Sequence, residues 1–137
     1  MNGKKSGYGK YTYMNGDSYV GNFVDDEENG QGVYFCASGD RFEGMFVDGK
    51  KNGHGVYFYA DGDRFEGMYV NGHENGHGVY FYTSGARFEG MYVDGKRNGH
   101  GVHFFADGRT VDQYYVDGVC QPPPILFILK KMCCCEM

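Results

Sequence analysis

The sequence of 137 residues has no tryptophan, only three prolines and no excess of positive charge, because its formal net charge is -5 at pH 7. A chain of this charge exerts no long-range attraction on phosphate backbones, so nucleic acid is not an expected partner. The one apolar run, Ile125 to Leu129, is far too short to cross a bilayer. The first ten residues contain no apolar stretch typical of a signal peptide.

Glycines and aromatic rings are abundant, with 24 glycines, 13 tyrosines and 11 phenylalanines. Aromatic side chains favour the pleated surface of a β-strand, and glycine favours turns. This composition predicts an all-β protein.

Internal repeats are the clearest feature of the sequence, and their period is 23 residues. Four full units run from Tyr19 to about Thr110, with partial units at both ends. A repeat of this length indicates one supersecondary unit that stacks on its copies. The recurring segments are NGQG at 29–32, NGHG at 52–55, 75–78 and 98–101, FEGMF at 42–46, and FEGMY at 65–69 and 88–92.

Each unit has two runs of aromatic and β-branched residues bounded by glycine-containing turns, which is typical of a β-hairpin. In the second full unit we expect a strand over 42–47, a turn over 48–53 and a return strand over 54–60. Side-chain alternation places Phe42, Gly44 and Phe46 on one face of the sheet. Glycines inside the strands are expected to leave room for a neighbouring ring to lie flat on the sheet.

Stacked hairpins predict an elongated, single-layer antiparallel sheet, open and solenoid-like, stabilised by contacts between neighbouring repeats. The pattern aromatic-x-Gly-x-aromatic, then x-x-Gly, then Asn/His-Gly-x-Gly resembles the MORN repeat (membrane occupation and recognition nexus) over residues 1–118. The resemblance implies a role in binding proteins or membranes. MORN arrays also accompany kinase and methyltransferase domains, which this sequence does not contain. Residues 119–137 break the period and form a separate tail.

Several positions depart from the repeat pattern. Asp26 stands where the other units have glycine, and Val111 and Gln113 replace the leading aromatic residue and the glycine of the last unit, which is expected to act as a terminal cap. The sequence starts in the middle of a hairpin, so residues 9–14 are expected to form an unpaired edge strand. Either an upstream strand is missing, or a second copy of the chain covers this edge in a homodimer.

Equivalent residues of successive repeats are expected to lie ~10 Å apart, because two strands separate them. His54, His77 and His100 are therefore too far apart to share one metal ion, whose ligands lie about 2 Å from it. General acid–base chemistry needs unlike groups within hydrogen-bond reach, which such columns of like residues do not provide. We expect no enzymatic activity, no metal and no cofactor.

The aromatic columns are the main candidate for a binding surface. A single sheet cannot bury both of its faces in itself, so some rings are expected to be exposed to a partner helix or peptide. The alternative is that the rings only stack on one another and hold the repeats together. The candidate partner-binding residues are Phe42, Phe46, Tyr57, Phe65, Tyr69, Tyr80, Phe88 and Tyr92.

Basic pairs in the expected turn tips suggest an anionic membrane as a second kind of partner. Lys50 and Lys51 form one pair, and Lys96 and Arg97 form another. An acidic pair and a mixed pair occupy other tips, so the basic points lie ~20 Å apart and form no continuous strip. Solubility is the alternative explanation of such tips.

The tail holds a run of three cysteines, Cys133, Cys134 and Cys135, directly after an apolar segment and two lysines. This order suggests lipidation and membrane anchoring. The alternatives are an apolar segment that packs on the last hairpin, or a tail that is not native. The spacing of the five cysteines is typical neither of a zinc site nor of a disulfide framework, so a reducing, cytoplasmic setting is expected.

The leading hypothesis from the sequence is a non-catalytic scaffold or adaptor that binds a protein, such as a helix, on its aromatic face in the cytosol or on the cytoskeleton. The alternatives are a peripheral membrane tether that uses the basic tips and the tail, and the regulatory part of a longer enzyme.

Overall fold

The computed structural model describes residues 4–122 and places them in one antiparallel sheet of eleven strands, each paired with the next along the chain. The predicted all-β, open sheet of hairpin repeats is confirmed. No helix within this range is long and apolar enough to span a membrane. The strands are β1 (Gly7–Thr12), β2 (Ser18–Val24), β3 (Glu27–Phe35), β4 (Arg41–Val47), β5 (Lys50–Phe58), β6 (Arg64–Val70), β7 (His73–Phe81), β8 (Arg87–Val93), β9 (Lys96–Phe104), β10 (Thr110–Val116) and β11 (Val119–Gln121).

The turn inside each hairpin is tighter than the sequence predicted. In the second full unit only Asp48 and Gly49 connect β4 to β5, and both have positive φ, 49° and 81°. Two residues of this conformation match the right-handed twist of the flanking strands. The predicted turn over 48–53 is therefore too long, because residues 50–53 already belong to β5.

A bulge in each return strand accounts for the residues that the prediction placed in the turn. Gly44 pairs with Gly55 and Phe46 pairs with Lys51, so that three residues of β5 lie opposite Met45 alone. Gly53 lies within the bulge and has a φ of 103°. Because the bulge adds an even number of residues, side chains on both sides of it keep to the same face of the sheet. Lys51 consequently lies on the same face as Phe46.

The face that carries Phe42 and Phe46, named here the ring face, holds the core of the protein. Phe42 is 1% exposed, and a Cβ atom added to Gly55 would lie 2.2 Å from its Cζ. The ring therefore lies flat over glycine, as predicted. Neighbouring rings meet it edge to face, with centroid distances of 5.4 Å to Phe46 and 5.0 Å to Tyr69. The buried rings are Tyr19, Phe23, Phe42, Phe46, Phe65, Tyr69, Phe88, Tyr92 and Tyr115.

An aspartate in the loops after β1, β3 and β5 ties one hairpin to the next, and we name this contact the aspartate clasp. The Asp63 carboxylate accepts hydrogen bonds from the Thr83 amide (2.9 Å) and the Tyr80 hydroxyl (2.8 Å). Asp40 makes the equivalent contacts one repeat earlier, and Asp17 makes them two repeats earlier. At the next position the residue is Ala86, which cannot form a clasp.

The last unit compensates for its departures from the pattern. In the other units an aromatic ring lies over the glycine two residues further along the strand. Here Val111 replaces the ring and Gln113 replaces the glycine, and Gln113 is only 2% exposed. The Gln113 side-chain oxygen accepts a hydrogen bond from the Tyr115 hydroxyl at 3.2 Å. β11 continues the sheet to Gln121, slightly beyond the predicted end of the array at residue 118.

The first strand forms an edge, as predicted, but it covers Gly7–Thr12 instead of residues 9–14. Among the described residues, β1 pairs only with β2. Asp26, the residue that replaces a glycine, has a φ of 73° and accepts hydrogen bonds from the Lys5 amide (2.7 Å) and Lys5 Nζ (3.0 Å). The homodimer through this edge stays a prediction. The predicted lipidation sites Cys133, Cys134 and Cys135 lie outside the described residues.

Candidate partner-binding face

Most of the rings that the sequence suggested for partner binding are not available on the surface. They form the core layer, because each is covered by the rings of its own repeat and of the next. The structure therefore corrects their assignment as partner-contacting residues and supports the alternative that they hold the repeats together. The residues concerned are Phe42, Phe46, Phe65, Tyr69, Phe88 and Tyr92, all between 1% and 6% exposed.

The other two candidates, Tyr57 and Tyr80, are partly exposed on the ring face and belong to a second layer of rings. Tyr59 and Tyr82 lie between and beside them, and the sequence analysis did not identify these two residues. They occupy the same repeat position, as the 23-residue period shows. The predicted return strand 54–60 contains Tyr59, whereas β5 ends at Phe58, so that Tyr59 follows the strand and joins the stacked rings.

The second-layer rings form a continuous stack along the sheet, named here the ring ladder. Centroid distances are 4.7 Å from Tyr57 to Tyr59, 5.5 Å from Tyr59 to Tyr80 and 4.8 Å from Tyr80 to Tyr82. The stack continues from Tyr82 to His103 at 5.7 Å. Clasps at Asp40 and Asp63 fix the hydroxyls of Tyr57 and Tyr80. The ladder is therefore a row of half-buried, positioned rings.

Two of the four residues predicted to form basic turn tips lie on the ring face instead. Lys51 pairs with Phe46, and its Nζ lies 5.2 Å from the Phe42 ring centroid and 5.3 Å from that of Tyr57. The bulge explains this placement, since it starts the strand at Lys50 and turns Lys51 inward. Lys50 pairs with Val47 on the opposite face and is exposed.

Arg97 is held more firmly than Lys51. Its guanidinium lies 4.0 Å from the Phe88 ring centroid and donates hydrogen bonds to the hydroxyls of Tyr82 (2.9 Å) and Tyr115 (3.0 Å). Lys96 pairs with Val93 on the opposite face. Each basic pair is thus divided between the two faces of the sheet. Lys50 is thus separated from Lys51 by the sheet, and Lys96 from Arg97. Lipid binding stays a prediction for all four residues, Lys50, Lys51, Lys96 and Arg97.

A groove of about 370 Å³ opens on the ring face beside Glu74, and we name it the Glu74 groove. The rings of Tyr59, Phe65, Tyr80 and Tyr92 line it. Arg97 lies along the same groove, so an acidic and a basic side chain share an aromatic environment. Aromatic walls with a few polar groups are typical of binding sites in proteins.

Two buried hydroxyls next to the groove lack hydrogen-bond partners among the described residues, those of Tyr69 and Tyr92. Tyr69 pairs directly with Glu74 across the strands, and Tyr92 lines the groove. Most buried polar atoms in proteins are hydrogen-bonded, so two such hydroxyls at equivalent positions of successive repeats are unusual. Burial raises the pKa of Tyr69 and of Tyr92, which keeps both phenols neutral near pH 7.

The negative charge of Glu74 also acts on the ring ladder. Burial, and secondarily this carboxylate, raises the pKa of Tyr59 to about 12. His103, further along the ladder, has its pKa lowered by burial first and by the positive charge of Arg97 second. The ladder is therefore uncharged near neutral pH, and the charges on this face come from the acidic and basic side chains beside it.

The opposite face of the sheet has a different character. Arg64 pairs with Glu66 at 2.8 Å, and its guanidinium stacks on Phe81 at 3.8 Å from the ring centroid. The same arrangement recurs in the neighbouring repeats, and because the pairs are well exposed each contributes little to stability. Between them lie exposed apolar side chains such as Met68 and Val70.

No group of three or more His, Cys, Asp or Glu side chains in residues 4–122 is placed to hold a metal ion. His54 and His77 are exposed and lie on the opposite face, where each pairs with a methionine of the next strand. His100 lies 3.3 Å from Asp112.

Comparison with known protein families gives one match. A family model described as MORN repeat matches residues 1–18, 19–41, 42–64, 65–87 and 88–108, which together form most of the chain. The matched segments divide the chain at the same period as the hairpins of the structure. A search of curated proteins finds no match.

Proposed function

Because the chain belongs to the MORN repeat family, we propose that it is a non-catalytic repeat scaffold that binds a protein partner along its ring face. The observation that carries this proposal is the ring ladder, in which half-buried tyrosines run along the sheet beside the Glu74 groove. Interface cores are enriched in tyrosine and other aromatic residues.

The fixed positions of these rings favour binding. Tyrosine offers a large contact area and loses little rotamer freedom when it binds. The hydrogen bonds of Asp40 to Tyr57 and of Asp63 to Tyr80, both 2.8 Å, orient two of the rings before a partner arrives. A preorganised surface binds more tightly because less ordering remains to be done.

The partner is expected to lie across several repeats. Equivalent ladder positions are separated by two strands, or ~10 Å, so a contact with the half-buried rings of Tyr57 and Tyr80 extends over ~10 Å and continues along the sheet to Tyr82. An elongated element such as a helix matches this shape. The buried core rings support the ladder from below, so the binding surface does not need to rearrange.

The proposal is tested by comparing variants of the two faces in a binding assay. In the ladder variant, Tyr59 and Tyr82 are both replaced by serine. In the control variant, Met68 and Val70 of the opposite face are replaced by serine, since they are 43% and 47% exposed. Proteins recovered from cell extract on each immobilised chain are quantified by mass spectrometry, after circular dichroism confirms that both variants are folded.

We expect a partner that is recovered equally on the parent chain and on the control variant, and about tenfold or more weakly on the ladder variant, since interface aromatic residues often contribute more than 1 kcal/mol each. A partner that is lost from the control variant but kept by the ladder variant would place binding on the opposite face and contradict the proposal.

A further inference from the structure

One column of charged residues runs along the ring face with alternating sign. The residues are 23 positions apart and thus occupy equivalent places in successive repeats: Lys5, Glu28, Lys51, Glu74 and Arg97. Equivalent places in a repeat array have similar surroundings. A change of sign at such a place therefore changes which ligand the same surroundings can accept.

Four of the five charges have partners within the chain. Lys5 forms an ion pair with Asp26, and Glu28 accepts a hydrogen bond from the Tyr13 hydroxyl. Lys51 and Arg97 both lie over aromatic rings, and Arg97 also donates hydrogen bonds to tyrosine hydroxyls. These contacts hold the four side chains in place, but only Lys5 is paired with an opposite charge.

Glu74 is the exception. Its carboxylate makes no hydrogen bond and no ion pair within residues 4–122, although the side chain is half-buried in the groove. Tyr59 occupies the position equivalent to Tyr13, but its hydroxyl donates no hydrogen bond to Glu74. A half-buried carboxylate without a partner is unfavourable, because burial removes water that stabilised its charge.

The rings around Glu74 correspond to those that hold cations elsewhere in the array. In the preceding repeat, Phe42 and Tyr57 flank the Lys51 ammonium. Phe65 and Tyr80 occupy the equivalent places beside Glu74. Arg97 lies 6.0 Å from the Tyr80 ring centroid, and no cation within residues 4–122 lies over Phe65. Aromatic faces attract cations, and a neighbouring carboxylate strengthens that attraction.

The unpartnered Tyr69 hydroxyl belongs to the residue that pairs with Glu74, and that of Tyr92 lies one repeat further, where Tyr92 pairs with Arg97 and lines the groove. They are the second indication that this part of the ring face can accept a polar group. An ammonium or guanidinium that binds Glu74 would draw the carboxylate into a fixed position, in which one of these hydroxyls can donate a hydrogen bond to it.

We propose that the Glu74 groove accepts a lysine or arginine side chain of the partner, and that the column Lys51, Glu74, Arg97 selects a helix with an acidic, a basic and an acidic residue at seven-residue intervals. This inference rests on the proposed function of the ring face. The spacing follows from geometry, because two strands cover ~10 Å and seven helical residues rise ~10.5 Å. Lys51 and Arg97 contact only uncharged rings and hydroxyls, so each keeps a net positive charge that can attract the flanking acidic residues.

The probe is a synthetic helical peptide with glutamate at the first, lysine at the eighth and glutamate at the fifteenth position, labelled for fluorescence anisotropy. Its binding is measured to the full chain and to the variants Glu74→Gln and Glu74→Lys. The matched control is Glu27→Gln, which removes an equal charge from an exposed site that pairs with Val24 on the opposite face.

We expect Glu74→Gln to weaken binding about tenfold or more, Glu74→Lys to weaken it further, and Glu27→Gln to leave it unchanged. Replacing the peptide lysine by norleucine should cause the same loss, after which Glu74→Gln should have no further effect. Equal affinity of the parent chain and Glu74→Gln, or no detectable binding of the peptide, would overturn the inference.

The outcome also separates this inference from the proposed function. If the peptide or the natural partner loses affinity with the Tyr59 and Tyr82 variant but not with Glu74→Gln, the ring face binds proteins and the charge selection is wrong. If the natural partner is unaffected by the ladder variant, the proposed function itself fails.

Discussion

Replacing Gly55 by alanine should destabilise the protein strongly, although it adds only a single methyl group to β5. The new Cβ would lie 2.2 Å from Cζ and 2.5 Å from Cε1 of Phe42. Carbon atoms in contact are normally about 3.5–4.0 Å apart, so the ring or the strand must move by more than ~1 Å. Phe42 has no free space to move into, because Phe46 and Tyr69 pack against its sides.

The expected loss in the free energy of unfolding is about 2–4 kcal/mol. Overpacking of a well-packed core costs about 1–3 kcal/mol, and displacing the ring weakens aromatic pairs that contribute about 0.5–1.5 kcal/mol each. The measurement is urea denaturation followed by circular dichroism and by tyrosine fluorescence, since the chain has no tryptophan. Coincident transitions from the two signals would justify a two-state free energy.

Gly9→Ala is the matched control. No atom lies within 4 Å of the Cβ that it would add, and its backbone is not left-handed. Its expected effect is within about 0.5 kcal/mol. The double variant Gly55→Ala with Phe42→Leu should lose less stability than the sum of its single changes, because the shorter side chain relieves the contact. Equal effects of Gly55→Ala and Gly9→Ala, or full additivity in the double variant, would refute the packing argument.

Three further predictions follow from the described contacts. Asp63→Asn should cost about 1 kcal/mol in urea denaturation by weakening the clasp, whereas Asp94→Asn should be neutral, since Asn71 already occupies the equivalent turn position. Burial raises the pKa of Tyr19 and Tyr59 to about 12; stability should be complete below about pH 10 and fall as the pH rises towards 12, in step with tyrosinate absorbance. Hydrogen bonds, first from the Ala37 amide, lower the pKa of Asp17; stability should fall as the pH drops below about 3.9, and Asp17→Asn should flatten that fall.

The repeat period was sufficient to predict the strands, their pairing order and the face on which each core ring lies. These features depend on the spacing of glycine and aromatic residues, which is visible in the sequence. The contact of Phe42 with glycine was predictable for the same reason. The family match and the sheet order confirm the fold prediction.

The binding surface was harder to predict, because two features are not visible in spacing alone. A glycine such as Gly53 fits a turn as well as a bulge, and only the bulge places Lys51 on the ring face. The exposure of a ring also depends on what covers it. Tyr59 and Tyr82 form a second layer over the core, and the resulting burial of Phe65 follows from three-dimensional packing.

The absence of an aspartate clasp at Ala86 gives the array a direction. The junctions held by Asp17, Asp40 and Asp63 each couple two successive hairpins, so opening one of them is penalised by its neighbours. Beyond Ala86 this coupling is weaker. Unfolding should therefore start in the hairpins that follow Ala86 and proceed towards the amino terminus. Under mechanical tension the last hairpins should detach first, while the segment that carries Tyr57 and Glu74 stays folded.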